Sequence, residues 1–382
     1  MATRRHTKRP GPPGGGSPNP ADSTVFRRQL HHHVEALAAT VQFRGSHTRP
    51  ATDRDARQRR EQNAAAWVYQ SCLVAWAEDH GLVRPLLRAS PDGLTRTPAS
   101  GLLWLARAFE QLAVHPSTQW LMHPGYQPLL WAGAPSPAAC TALIDWWAAE
   151  APSLAYPATS GYPPSITGWP IGDLLGVLSP DRRARHALVQ TPHFVAELIL
   201  DQTLIPAADT FRDQRLIRTI DPACGTGHFL IVAADYLWHW WTTGTLTPHA
   251  VTHRPPLTGG TARPPAEAIR RILASVDGVE IDPLTAAVGR LRMTVYVGHL
   301  LVQAGLHPGP LCLHTIPGWV TPRIAVGDSL LLGQISQAEY ARLHPDLAVL
   351  PGAAFPLPDF TWPPDTPAPA PAAPSRRARR TR

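Results

Sequence analysis

Lysine is nearly missing from this chain: it occurs once, at Lys8, and arginine supplies every other strong base. Charged residues make up only 16% of the sequence against 44% hydrophobic, which excludes a charge-driven disordered protein as a description of the whole. The four cysteines, Cys72, Cys140, Cys224 and Cys312, form no CxxC pair and no zinc-ligand spacing, so they read as reduced thiols of a cytoplasmic protein. No apolar run approaches the roughly 20 residues of a membrane helix, and the basic start leads into Gly and Pro rather than an apolar export signal. No internal repeat is present. The run His31-His32-His33 is too short and isolated for a metal site.

Proline, by contrast, is abundant, with 43 residues concentrated in a few segments that mark linkers. The net charge of +7 fits a polyanionic partner such as DNA, but much of it sits in the tails, at Arg4, Arg5, Lys8 and Arg9 and again from Arg376 to Arg382. Solvated tails are the first reading of both clusters and non-specific DNA contact the second. The expected organisation is a disordered basic arm over 1–22, a helical region over 23–170, an α/β region over 171–345, and a disordered Pro/Ala/Arg-rich tail over 346–382.

Within the helical region, Val68, Cys72, Leu73 and Trp76 fall on one side of a helix expected over Arg54–Asp79. A second helix is marked by Leu102, Leu105, Phe109 and Leu112. Ser136-Pro137 pairs an N-cap with a first-turn proline ahead of a third. Tryptophans crowd this region, and an aromatic core is the first explanation, with base stacking the alternative.

After Gly168 the pattern alternates strand, turn and helix, which predicts a parallel sheet. The apolar stretch Leu216–Ile220 reads as a short buried strand, followed by Asp221-Pro222-Ala223-Cys224-Gly225-Thr226-Gly227 and an apolar helix. Glycine lacks Cβ, so Gly225 and Gly227 allow a sharp turn and a close ligand approach. No Lys-Ser or Lys-Thr follows, which excludes a triphosphate P-loop. A glycine turn alone is weak. A second strand over Ser275–Ile281 strengthens it, because Glu280 stands where an acid accepts ribose hydroxyls, with Asp282 as N-cap before Pro283. Thr242–Pro265 between them reads as a surface loop. A third strand ends at Asp328. Upstream, Thr191 is expected to cap and Pro192 to open a helix whose Phe194, Leu198 and Leu204 pack on the sheet. The amides of such a helix start suit a carboxylate ligand.

On these motifs, with Gly172-Asp173-Leu174-Leu175 and Leu188 through Leu204, residues 170–332 resemble the gamma-ordered adenine-N6 DNA methyltransferases. That group includes type I modification subunits and the BREX or phage-growth-limitation methyltransferases, and the likeness is greatest to the latter. The resemblance implies a partial Rossmann-like S-adenosylmethionine-dependent methyltransferase domain preceded by a helical domain. It implies that Thr191 holds the methionine carboxylate and that Asp221 and the loop from Ala223 through Gly225 to Gly227 wrap the methionine. Glu280 would then bind the ribose, Ile281 lie against the adenine, and Asp328 accept from its exocyclic amine.

The family's (Asn/Asp/Ser)-Pro-Pro-(Tyr/Phe/Trp) motif is not found. That motif accepts the N6 hydrogens of a flipped adenine and stacks on its ring. The Pro-Pro pairs here run Gly11-Pro12-Pro13-Gly14, Tyr162-Pro163-Pro164-Ser165, Arg254-Pro255-Pro256-Leu257, Arg263-Pro264-Pro265-Ala266 and Trp362-Pro363-Pro364-Asp365. None places a polar acceptor before and an aromatic ring after. No catalytic residue is therefore assigned, and the sheet is expected to stop at its first strand, normally central, with an open edge. The expectation is a split or truncated DNA adenine-N6 methyltransferase whose second protein chain carries catalysis and target recognition. The alternative is a non-catalytic cofactor-binding or assembly subunit of a modification or phage-defence complex.

Overall fold

A computed structural model of the chain describes residues 23–43, 52–89, 97–155, 169–179, 191–212, 217–249, 254–331 and 334–350. The arm over 1–22, residues 180–190, Leu216 and everything from 351 on, including Trp362-Pro363-Pro364-Asp365, lie outside the described residues. In chain order the elements are α1 (Thr24–Ala38), β1 (Gln42–Phe43), α2 (Asp53–Asp79), α3 (Gly101–Glu110), α4 (Pro128–Ala132), β2 (Gly133–Ala134), α5 (Pro137–Ala149), α6 (Trp169–Leu178) and α7 (His193–Phe211). There follow β3 (Thr219–Asp221), α8 (His228–Thr243), α9 (Pro265–Ser275), β4 (Val276–Glu280), α10 (Pro283–Gln303), β5 (Arg323–Val326), α11 (Gln337–Leu343) and α12 (Pro345–Ala348).

The first part is helical, as its periodicity predicts. Thr52 caps α2 by accepting from Asp55 N, and Ser136 caps α5 by accepting from Ala139 N. Helix α2 departs from expectation: it is buried on all sides from Asn63 to Glu78, with α1, α3, α4 and α6 packed around it. A helix enclosed in this way needs small residues where neighbours approach, and Ala64, Ala65, Ala66, Ala75 and Ala77 supply them. Trp67, Trp76, Trp104, Trp146 and Trp147 are buried, so these rings build the core and are not surfaces for bases. Burying each side chain of this size stabilises by about 2–3 kcal/mol. His33 lies on Trp146, with ring centroids 4.5 Å apart.

The second part is a small parallel sheet flanked by helices, a partial α/β fold. Strand order is β3-β4-β5, with Thr219 opposite Val276 and Glu280 opposite Val326. Strand β4 is central and fully buried, and Asp277 at its start bridges both neighbours. Arg218 lies 2.8 Å from its Oδ2 and Arg323 lies 2.6 Å from its Oδ1. A carboxylate buried to this degree needs charge compensation, and two arginines deliver it at the amino edge of the sheet.

Several expectations are corrected. The first strand begins at Thr219 and is not buried: Ile220 is 38% exposed, because among the described residues β3 is paired on one side only. Pro192, not Thr191, is the N-cap of α7, and it makes no side-chain capping bond. Phe194 and Leu198 do not pack on the sheet; they are 67% and 45% exposed, and the buried face of α7 is Ala196, Leu200, Leu204 and Ala208. The boundary expected at 170/171 falls inside α6, and the expected tail start at 346 falls inside α12, after which Leu350 is buried against Gly125. The stretch expected as a surface loop over Thr242–Pro265, described at 242–249 and 254–265, keeps that place, with two ties: Leu246 and Leu257 exchange backbone bonds of 2.9 and 2.8 Å, and Gly260 lies where a Cβ would collide with Trp240.

Candidate functional site

The carboxyl ends of β3, β4 and β5 lie side by side and each carries an acid: Asp221, Glu280 and Asp328. Between β3 and α8 the chain turns through Gly225 and Gly227 at φ of 55° and 85°. A side chain at either position would be strained, so the turn depends on glycine. The loop is pinned to the neighbouring strand by Cys224 N donating to Val279 O over 2.9 Å. Gly278 on β4 makes that approach possible, since a Cβ there would stand 2.9 Å from Cys224 Sγ.

Glu280 is the centre of the arrangement. Its Oε2 accepts from Gly225 N and its Oε1 from Asp282 N, both at 2.9 Å, so one carboxylate spans the glycine loop and the turn into α10. Asp282 in turn caps α10 by accepting from Thr285 N at 2.9 Å, as its position before Pro283 predicts. Burial pushes the Glu280 carboxyl up to about 7; the nearby charges of Asp282 and Asp221 add to this, and the two backbone amides oppose it. Burial likewise raises Asp221, whose Oδ1 accepts from Ala223 N at 3.1 Å. A buried Glu280 and a half-buried Asp221, both held above their ordinary range beside a glycine turn, mark a site that offers acceptors.

Asp328 stands just beyond β5, where Gly327 N donates to Glu280 O over 2.9 Å, so Ile281 and Asp328 leave the sheet at adjacent strand ends. Asp221, Ala223, Gly225, Gly227, Glu280, Ile281 and Asp328 are therefore gathered at one sheet edge. Thr191 precedes α7, is half-buried, and makes no side-chain hydrogen bond among the described residues; nothing ties it to the other seven. Among those residues no cluster of His, Cys, Asp or Glu has the arrangement of a metal site, and no helix is long and apolar enough to cross a membrane.

The chain is 30% identical over 294 residues to the adenine-specific methyltransferase PglX of Streptomyces coelicolor (strain ATCC BAA-471 / A3(2) / M145). It is thus related to an adenine-specific methyltransferase. The match covers 71% of this chain and 22% of that relative, so the chain spans about a fifth of the relative's length. No family model matches the sequence. No solved structure matches it.

Two supports of the site went unseen in the sequence. Thr226, at the back of the glycine loop, receives Arg292 Nη1 on both its carbonyl (2.6 Å) and its hydroxyl (2.9 Å). Arg292 is fully buried on α10, where burial lowers it to about 10 and Asp173 of α6 opposes the shift. Gly172 of α6 closes the same pocket: a Cβ there would collide with the Thr226 hydroxyl. The second support is Tyr340 of α11, whose hydroxyl accepts from Asp328 N at 2.9 Å. The first pairing joins residues far apart in sequence, and the second reaches back across the loop that follows β5.

Proposed function

We propose that this chain binds S-adenosylmethionine at the carboxyl edge of its sheet, as the cofactor-binding part of a DNA adenine-N6 methyltransferase of the modification or phage-defence type. The observation that carries the reading is the meeting of three strand-end carboxylates with a glycine turn whose amide is held by Glu280. The residues fit the group. The positive-φ glycines leave room for a close approach, and the buried, incompletely compensated Glu280 is an acceptor suited to vicinal ribose hydroxyls. Asp221 and the Ala223–Gly227 loop would hold the methionine end, Ile281 and Asp328 the adenine, and Thr191 the carboxylate. When bound, the group supplies an electrophilic methyl on a sulfonium; this chain's residues bind and orient, and none of them is assigned to the transfer. A Rossmann-like sheet in gamma order, with residues 23–170 as a helical domain ahead of it, belongs to the same proposal.

The partners are DNA and a further polypeptide segment that adds a strand beside β3 and carries the polar–Pro-Pro–aromatic motif. The side of β3 that has no partner strand among the described residues, with exposed Ile220 and the exposed Phe194 and Leu198 on α7, supports such a contact, since an open parallel edge readily accepts another strand. Calorimetry with S-adenosylmethionine tests the central proposal. Saturable binding that Gly225→Val abolishes is expected; absence of binding, even with the product of a neighbouring gene present, would refute it.

A further inference from the structure

Asp328 is gripped from two directions by the segment that follows it. Its main-chain N–H donates to the buried Tyr340 hydroxyl at 2.9 Å, and its Oδ1 accepts from Leu330 N at 3.0 Å. On the other carboxylate oxygen, His344 Nε2 stands 3.3 Å from Oδ2. The imidazole is itself fixed. His344 closes α11, donating its N–H to Tyr340 O at 2.8 Å, and opens α12, where its carbonyl accepts from Leu347 N at 3.2 Å and Ala348 N at 3.0 Å. Its ring rests against that of Tyr340, with centroids 5.1 Å apart. The helix pair is anchored in turn by Ser336, which caps α11 by accepting from Glu339 N, and by Leu350 against Gly125. Helix α11 and the residue that links it to α12 thus supply the groups that hold Asp328 from behind.

A carboxylate offers about four acceptor positions on its two oxygens. Leu330 N occupies one and His344 faces another, on different oxygens, which fixes the plane of the group and leaves about two positions for a ligand donor. A carboxylate held in this way accepts from an amino group but repels a carbonyl oxygen in the same place. We propose that His344 is a positioning residue which, by holding the Asp328 carboxylate, makes the site select a 6-amino over a 6-oxo purine. The proposal rests on the cofactor reading above and goes beyond it, by naming a residue outside the strand-end motif that sets which base the site takes.

The experiment compares S-adenosylhomocysteine with S-inosylhomocysteine, which differ only in that purine substituent and its ring proton, by calorimetry on the full chain. The wild type should prefer the adenosyl compound by on the order of tenfold or more, the equivalent of one hydrogen bond to a charged acceptor. His344→Ala should lose most of that preference by weakening the adenosyl compound, while the inosyl compound changes within about twofold. His344→Gln, which keeps an N–H donor, should restore it. Equal weakening of both ligands by His344→Ala, or an unchanged preference, would overturn the positioning role while leaving the cofactor reading intact. Failure of the wild type to bind either ligand would overturn the cofactor reading, and this proposal with it.

Discussion

Changing Glu280 to glutamine keeps the shape of the side chain and removes its charge, so folding and binding respond in opposite directions. The carboxyl titrates near 4.5 in an unfolded chain and is pushed up to about 7 in the folded protein, chiefly by burial. A folded pKa raised in this way contributes stability that is fully present below the unfolded value and is lost as pH rises through the folded one. The shift corresponds to about 3 kcal/mol at full ionisation. Between about pH 5 and about pH 8 the wild type should therefore lose on the order of 2–3 kcal/mol relative to Glu280→Gln, apart from a constant offset for the backbone bond that the amide cannot accept. Urea unfolding of both proteins at the two pH values measures this. Binding carries the opposite sign: ribose hydroxyls donate to the ionised carboxylate, of which roughly a tenth remains at pH 6 and about nine-tenths exists at pH 8. Wild-type affinity for S-adenosylmethionine should rise about tenfold across that interval, and the variant should bind weakly at both. A stability difference that does not change with pH would refute the burial argument. An affinity independent of pH would remove Glu280 from the site.

Further expectations concern the loop and the reaction. Gly225→Ala should cost about 1–2 kcal/mol of stability through its φ of 55° and weaken cofactor binding, whereas Cys224→Ser should leave binding measurable; calorimetry reads both. Arg292→Met should destabilise the fold by about 3 kcal/mol in urea unfolding, because it strips both donors from Thr226 and leaves Asp173 without its nearby charge. The purified chain should not incorporate tritiated methyl groups into DNA, and activity should appear only in a complex that supplies the missing motif. Incorporation by the chain alone that disappears in Glu280→Ala would show that transfer residues lie within it.

What could be read in the sequence was local chemistry. Glycine at positive φ, an aspartate ahead of Pro283, and serine ahead of Pro137 each act within a few residues, and each element stands where those signals put it. The face of α7 could not be read this way. Phe194 and Leu198 form one apolar row and Ala196, Leu200, Leu204 and Ala208 another, and periodicity does not say which row finds a partner. The larger residues drew the expectation inward, while the row with small residues permits close packing on α8. Thr191-Pro192 resembled a cap followed by a first-turn proline, yet the helix starts one residue later. Arg292 reaches Thr226 from a distant segment, and Tyr340 with His344 reach back to Asp328 across a loop; a single sequence carries no signal for either contact.

The place where α6 meets the glycine loop bears on how the protein can be divided. Tyr69 of α2 donates to Ile171 O over 3.2 Å, and the next residue, Gly172, lies flush against Thr226. A short chain of contacts thus runs from the middle of the helical region to the back of the loop, through a helix that the sequence would have taken for a boundary. A fragment cut after that helix would keep every strand-end acid and both loop glycines, yet it would open the Thr226–Arg292 pair to water. Solvent would then compete for the donors that fix the turn, so the excised sheet would be the wrong object on which to measure the affinity of the whole chain.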